Sequence, residues 1–215
     1  MNNTKLIACR TLEDEINAIK PQNIDCEFLE YALHNTPDVL KNKLTDAIIQ
    51  DKDHDTLLLG YGLCSNSTAG LKSDRHTIVI PKVHDCISLL LGSRTKYHQE
   101  FDRFPATYYL SKGWIKQKGD PLSSYKRYCE KYGEENAKYV MDVEYANYQR
   151  VAYIHTLGND ADDVEYSKEV AKFLKVEFVE IEGSLRIFEK LLNAEWDKEF
   201  IINRPGMIIS ASSFV

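Results

Sequence analysis

Asp55-Thr56-Leu57-Leu58-Leu59-Gly60-Tyr61-Gly62-Leu63-Cys64 is the stretch from which the rest of the chain can be read. Its first half, Asp55 to Gly60, is nearly continuous in apolar residues. A strand with one wet face alternates apolar and polar positions. A short run without alternation suits a strand covered on both faces, as in a parallel sheet between two layers of helices. The second half opens a polar, glycine-containing loop, Tyr61 to Gly70, with Cys64 just past the strand's carboxyl end.

Working upstream, Pro37 suits the first position of a helix that runs to about Gln50, after a turn at Leu33-His34-Asn35-Thr36. Asp25 to Leu29 reads as a strand. Thr11 can cap a helix whose Leu12, Ile16 and Ile19 repeat at helical spacing, with Glu13 to Glu15 at its positive end. Lys5 to Cys9 reads as the first strand. Downstream, Thr77 to Pro81 is a strand, and Asp85 to about Arg103 is helical with a break at Gly92. Ala106 to Leu110 is another strand. Pro121 to about Gln149 predicts two helices meeting at Gly133. Strands at Arg150 to His155 and Val176 to Ile181 flank a helix from about Asp160 to Leu174, and Ser184 to Leu192 is helical again. The apolar tail Phe200 to Ser210, interrupted by Asn203-Arg204-Pro205-Gly206, adds a last strand or covers the site edge.

This alternation predicts an α/β fold: a doubly wound, mostly parallel, Rossmann-like sheet with helices on both faces and a helical insert. Residues 1–215 read as a single α/β domain with sub-halves of about 1–120 and 150–215 around an insert at about 121–149.

Bulk properties narrow the function. The 215 residues are 43% hydrophobic and 28% charged, ordinary for a globular chain with a real core. A net charge of -6 with no evident basic face argues against nucleic-acid binding. No run of about 20 apolar residues is present, which argues against a membrane partner. The start, Met1-Asn2-Asn3-Thr4-Lys5, lacks a signal-peptide pattern, so a cytoplasmic location is expected. Five cysteines are an odd count in such a chain, so free thiols, metal ligands or catalytic thiols are better readings than disulfides. Much of the complement of 13 tyrosines falls between Tyr97 and Tyr153, read as a packed helical layer rather than an aromatic lid.

The chemistry concentrates at strand ends. Cys9, Cys64, and the pair His84 and Cys86 each follow an apolar run. In an open α/β sheet those carboxyl ends form the ligand-binding edge. Soft thiolates with an imidazole suit zinc, iron or an iron–sulfur cluster, so Cys9, Cys64, Cys86 and His84 are the candidate metal ligands. His84 is alternatively an acid or base. Asp85 either caps the following helix or orients His84. Cys86 at a helix start is alternatively a thiolate nucleophile. Arg94, with Tyr97 one turn on, offers a cation and a ring to a small-molecule substrate or cofactor. The loop Gly60-Tyr61-Gly62 lacks both the Walker and the dinucleotide-binding patterns, so it is a weak phosphate cradle and a better tight turn. His34 and Glu13 are reserve members of the site. Cys26 and Cys129 read as packing residues.

The strings Ala8-Cys9, Leu33-His34, Gly60-Tyr61-Gly62-Leu63-Cys64, Ile80-Pro81-Lys82-Val83-His84-Asp85-Cys86, Leu91-Gly92-Ser93-Arg94 and Pro105-Ala106-Thr107-Tyr108 resemble the domain-of-unknown-function 1638 family over nearly the whole chain. The likeness extends to Trp196-Asp197 and Pro205-Gly206. The chain departs from the family's usual Cys-Gly at Cys9-Arg10, from Cys-Gly-Asn-Gly at Cys64-Ser65-Asn66-Ser67, and from Pro-Gly at Pro105-Ala106. Lost glycines weaken a close-backbone anion role. The resemblance implies a setting in anaerobic one-carbon metabolism beside corrinoid methyltransferases. Three expectations follow. One is a metal-dependent enzyme of methyl-transfer chemistry, using zinc or an iron–sulfur cluster. Another is a non-catalytic metal-binding accessory or chaperone partnering a corrinoid protein or methyltransferase. The third is a metal-free thiol enzyme built on Cys86 and His84. Oligomeric state is not legible in the sequence.

Overall fold

Leu57, Leu58 and Leu59 are fully buried, and their alternate side chains serve two cores. The computed structural model that shows this describes residues 3–31 and 33–214, with the side chain of His34 outside that description. The chain divides into two compact units, residues 1–97 with 184–215, and residues 98–183.

The first unit contains β1 (Thr4–Cys9), α1 (Glu13–Ile19), β2 (Ile24–Leu29), α2 (Pro37–Gln50), β3 (Thr56–Gly60), β4 (Thr77–Pro81) and α3 (Cys86–Leu90). The boundary falls inside α4 (Arg94–Arg103). The second unit holds β5 (Thr107–Leu110), α5 (Lys112–Lys116), α6 (Pro121–Tyr132), α7 (Glu134–Glu144), β6 (Arg150–His155), α8 (Ala161–Leu174) and β7 (Glu177–Glu182). The chain returns to the first unit with α9 (Arg186–Leu192) and β8 (Phe200–Asn203).

The first unit's sheet has the order β2-β1-β3-β4-β8. All its pairings are parallel except the last, in which Ile78 to Pro81 pair with Asn203 to Phe200 in antiparallel register. One face packs Ile7, Leu57, Leu59, Ile78 and Ile80 against Leu40, Leu44 and Ile48 of α2. α9 covers β3 and β4, burying Ile187, Phe188 and Leu191, and Ile16 of α1 reaches toward Ala8 and Gly60. Each fully buried Leu or Ile contributes roughly 1.5–3 kcal/mol relative to an exposed one. The sheet is doubly wound, with helices on both faces.

The second unit has its own parallel sheet, β5-β6-β7. Val151, Ala152, Tyr153 and Ile154 of its middle strand are all buried, and α8 covers one face with Val164, Val170 and Ala171. Gly133, at φ 78, joins α6 to α7. Arg150 opens β6 as a buried cation. It donates to Thr107 Oγ1 at 2.7 Å and Glu100 Oε2 at 2.8 Å, and stacks 3.8 Å over the Phe104 ring. The strands therefore divide between two sheets, and β8 occupies the edge of β4 that a single continuous sheet would have extended.

Candidate functional site

Strand order locates the site before any side chain does. From β1 the chain crosses to β2 on one side, then returns past β1 to β3 on the other. Connections leave in opposite directions from β1 and β3, which opens a crevice at their carboxyl ends, the usual ligand position in open α/β sheets. Cys9 ends β1, Gly60 ends β3 with Tyr61 and Cys64 just beyond, and Cys86 follows β4 as the first residue of α3. One small cavity is lined by Cys9, Tyr61, Cys64 and Cys86, with Leu33 and Leu40 as apolar walls and Glu30 at its edge. It offers about 20 Å³ to the centre of a water-sized occupant, room for one water or one ion.

The loop that carries Cys64 is held under strain. Cys64, Ser65 and Asn66 have φ of 44, 54 and 67°, three left-handed residues in a row without a glycine. Cys64 and Ser65 each cost about 1–2 kcal/mol relative to the right-handed form, and Asn66, a residue that tolerates this region, costs less. Neighbouring backbone holds them there. Leu63 and Cys64 donate their N–H groups to the Val83 and His84 carbonyls, both at 2.9 Å, and Thr68 Oγ1 donates to the Gly62 carbonyl at 2.9 Å. Gly62 permits this approach, because a Cβ there would lie 2.6 Å from the Val83 carbonyl oxygen and 2.8 Å from the Asp85 nitrogen. Thus the loops after β3 and β4 run backbone to backbone, bringing Cys64 and Cys86 to one place. Backbone strain that surroundings enforce concentrates at functional sites.

Three of the groups around the cavity, Tyr61, Cys64 and Cys86, are held protonated by burial. Burial pushes the Cys64 thiol up to about 12, with smaller contributions from Asp85 and Cys9. Burial, then Asp85, Cys64 and Cys9, push Cys86 well above the usual thiol range. The Tyr61 phenol is raised by burial and then by all three cysteines, and its buried hydroxyl has no hydrogen-bond partner among the described residues. A buried hydroxyl of this kind suits an ion or a water as its partner. Thr11 Oγ1 donates to Cys9 Sγ at 3.1 Å. A cation in the cavity would invert these shifts, since a coordinating thiol deprotonates outright. Among the described residues, no group of three or more His, Cys, Asp and Glu side chains is arranged to hold a metal ion as it stands.

The other candidate residues sit elsewhere. His84 is not part of the cavity lining. Its side chain is 60% exposed, its Nδ1 pairs with Asp85 Oδ2 at 2.7 Å, and its ring stacks on Tyr97 at 5.6 Å. The hydrogen bond to Asp85 comes first in raising its pKa, against the effect of burial. Asp85 fills both of its expected roles, because its other oxygen accepts from the Ser88 N–H at 3.1 Å and caps α3. Arg94 opens α4, with the buried Tyr97 one turn on, and neither lines the thiol cavity. Glu13 pairs with Arg10 at 3.6 Å. Cys26 lies in β2 and Cys129 in α6. His34's side chain lies outside the described residues. Tyr61 is the member that motif reading passed over. Its signal was an aromatic residue between two glycines directly after the central strand.

An open, doubly wound α/β sheet with a thiol-lined cavity at its switch point defines the class of protein. The family model described as "Protein of unknown function (DUF1638)" matches residues 28–192, and the chain belongs to that family. The matched stretch contains Tyr61, Cys64, His84 and Cys86, and Cys9 precedes it. Neither a curated protein nor a solved structure matches the chain.

Proposed function

We propose that Cys9, Cys64 and Cys86 hold one soft transition-metal ion, zinc before iron, and that the chain is a metal-dependent enzyme of methyl-transfer chemistry. The observation that carries this reading is the meeting of three thiols, from three different strand ends, at one cavity beside a phenol that has no hydrogen-bond partner among the described residues. The donor chemistry fits, since thiols are the ligands such metals select. The space suits a single ion better than a four-iron cluster. Bound there, the metal supplies Lewis acidity toward a substrate thiol, a methyl-bearing group or water.

The chain's own residues supply the surroundings. Thr11 hydrogen-bonds the Cys9 sulfur and fixes its direction, a support that metal-binding ligands commonly need. Leu33 and Leu40 give the cavity an apolar wall. Tyr61 holds a proton on its buried hydroxyl, next to the thiols. His84 and Asp85 form a separate exposed pair at the same edge. The one-carbon setting, and a corrinoid protein or methyltransferase as partner, rest on the family resemblance and belong to the same proposal.

The size of the cavity favours a second reading, a metal-binding accessory that carries or donates the ion, because an organic substrate has no room beside it. A metal-free nucleophile at Cys86 draws less support. Burial keeps that thiol protonated, and His84 is engaged by Asp85.

Metal analysis of anaerobically purified protein tests the site. About one equivalent of zinc or iron per chain is expected, as a tight thiolate site requires. Less than about half an equivalent, with none taken up from added metal, would sink it. Retention of the metal against a partner apoprotein separates the enzyme from the accessory.

A further inference from the structure

A second cavity opens at the opposite, amino-terminal edge of the same sheet, away from the thiols. It measures about 550 Å³, within the range of small-molecule sites. Thr45, Ile48 and Ile49 of the last turn of α2 form one wall, and Ile208 contributes from the tail, which meets Lys72 in an isolated antiparallel bridge. Ile49 and Ile208 are 60% and 62% exposed, so the apolar wall is open to solvent.

Cations surround that wall. Lys52, Lys72 and Arg75 line the cavity against one carboxylate, Asp74, on a chain whose net charge is -6. Among the described residues, none of the three is neutralised by a buried partner. Lys52 donates to the Ile49 carbonyl and Arg75 to the Lys52 carbonyl, both at the end of α2. Lys72 makes only a loose, exposed pair with Asp74 at 3.5 Å. Two cations at a helix carboxyl end complement its dipole, but that role does not account for an apolar cavity between them.

The floor carries an unmet hydrogen-bond demand. Ser73 Oγ accepts the N–H groups of Arg75 and His76, at 3.2 and 2.9 Å. Its own proton is then the one available to His76 Nδ1, 3.1 Å away, which leaves the His76 proton on Nε2. Among the described residues that buried nitrogen has no hydrogen-bond partner, and it faces the Asp51 Oδ1 carboxylate oxygen 3.6 Å off. Burial, then the charges of Arg75 and Lys52, keep the ring neutral against the pull of Asp51 and Asp55.

We propose that this cleft binds a small organic anion: a phosphate or carboxylate head held by Lys52, Lys72 and Arg75, with an apolar body laid on Ile48, Ile49 and Ile208. The charge asymmetry selects the head, and the exposed isoleucines select the body.

The test is a two-dimensional amide NMR titration of the full chain with phenyl phosphate, beside benzyl alcohol and inorganic phosphate. Saturable shifts are expected at amides of residues 45–52 and 70–76, with each half-ligand binding at least about tenfold more weakly. The exposed changes Lys72→Glu and Arg75→Glu should weaken phenyl phosphate by about tenfold or more, with an unchanged melting temperature. Shifts that do not saturate, or that scatter beyond the cleft, overturn the proposal. So does benzyl alcohol or inorganic phosphate binding as tightly as phenyl phosphate, or an affinity indifferent to both charge reversals.

Discussion

At the carboxyl edge of the five-stranded sheet, β1 ends in Cys9, and the loops after β3 and β4 bring Cys64 and Cys86 to the same cavity. At the carboxyl edge of the three-stranded sheet, the middle strand β6 ends in His155. Its two ring nitrogens are both engaged, with Asp160 Oδ2 at 2.7 Å and Glu180 Oε2 at 2.9 Å. Parallel strands place polar residues at the carboxyl end in both units. In one, burial keeps Tyr61, Cys64 and Cys86 protonated, and Tyr61 has no hydrogen-bond partner among the described residues. In the other, an imidazole sits between two carboxylates. A strand end whose hydrogen bonds are all made is part of the architecture, whereas one left wanting donors or a cation is where a ligand belongs.

The sharpest break in this comparison comes from the thiols. Cys64→Ser should lower metal affinity by more than about 100-fold, beyond what loss of a supporting hydrogen bond costs. Cys26→Ser and Cys129→Ser should leave it unchanged, since these residues lie in β2 and α6. Equilibrium dialysis against a competing chelator reads both. If Cys26→Ser weakens binding as much as Cys64→Ser, the thiols at the switch point have no special standing.

Much of the fold was legible because its signals are local. Pro37 marks the start of α2, and Gly92 and Gly133, both at positive φ, interrupt helices where the pattern breaks. The division of strands into two sheets carries no such signal. It depends on Ile78 meeting Asn203 across a long separation, which no periodicity encodes. The site divides the same way. Cysteines just past apolar runs can be placed on a sheet edge from the sequence. The pairing of His84 with Asp85 is also legible, being local, but the stacking of its ring on Tyr97, away from the thiols, is not. Tyr61 escaped notice because an aromatic residue beside a buried strand is usually core, and only its unpartnered hydroxyl distinguishes it.

Gly62→Ala sharpens the comparison at lower energy. The added methyl would meet backbone rather than a side chain that can turn aside. Forcing the two loops apart should cost about 1–3 kcal/mol, the usual range for overpacking. The loss should appear in metal affinity as well as in the urea midpoint, because Cys64 and Cys86 are held together by those loops. A variant with wild-type stability and wild-type affinity would show that the backbone contact does not set the site.

The smallest effect lies at the saturated edge. Burial works to lower the pKa of His155, but its hydrogen bonds to Asp160 and Glu180, and their charges, raise it overall. A pKa raised in the folded state stabilises fully below the unfolded value, about 6.5, and the contribution is lost as pH rises through the folded value. The stability difference between the native chain and His155→Asn should therefore be largest near pH 6 and shrink by about pH 8, read as urea midpoints at fixed ionic strength. His76 contributes with the opposite sign, because its pKa is lowered by burial, but it is common to both chains and cancels in the difference. A difference that is flat with pH, or that grows toward alkaline pH, would mean that His155 is not held as a cation between its carboxylates. The edge of the second sheet would then be as unsatisfied as that of the first, and the contrast that singles out the thiols would lose its basis.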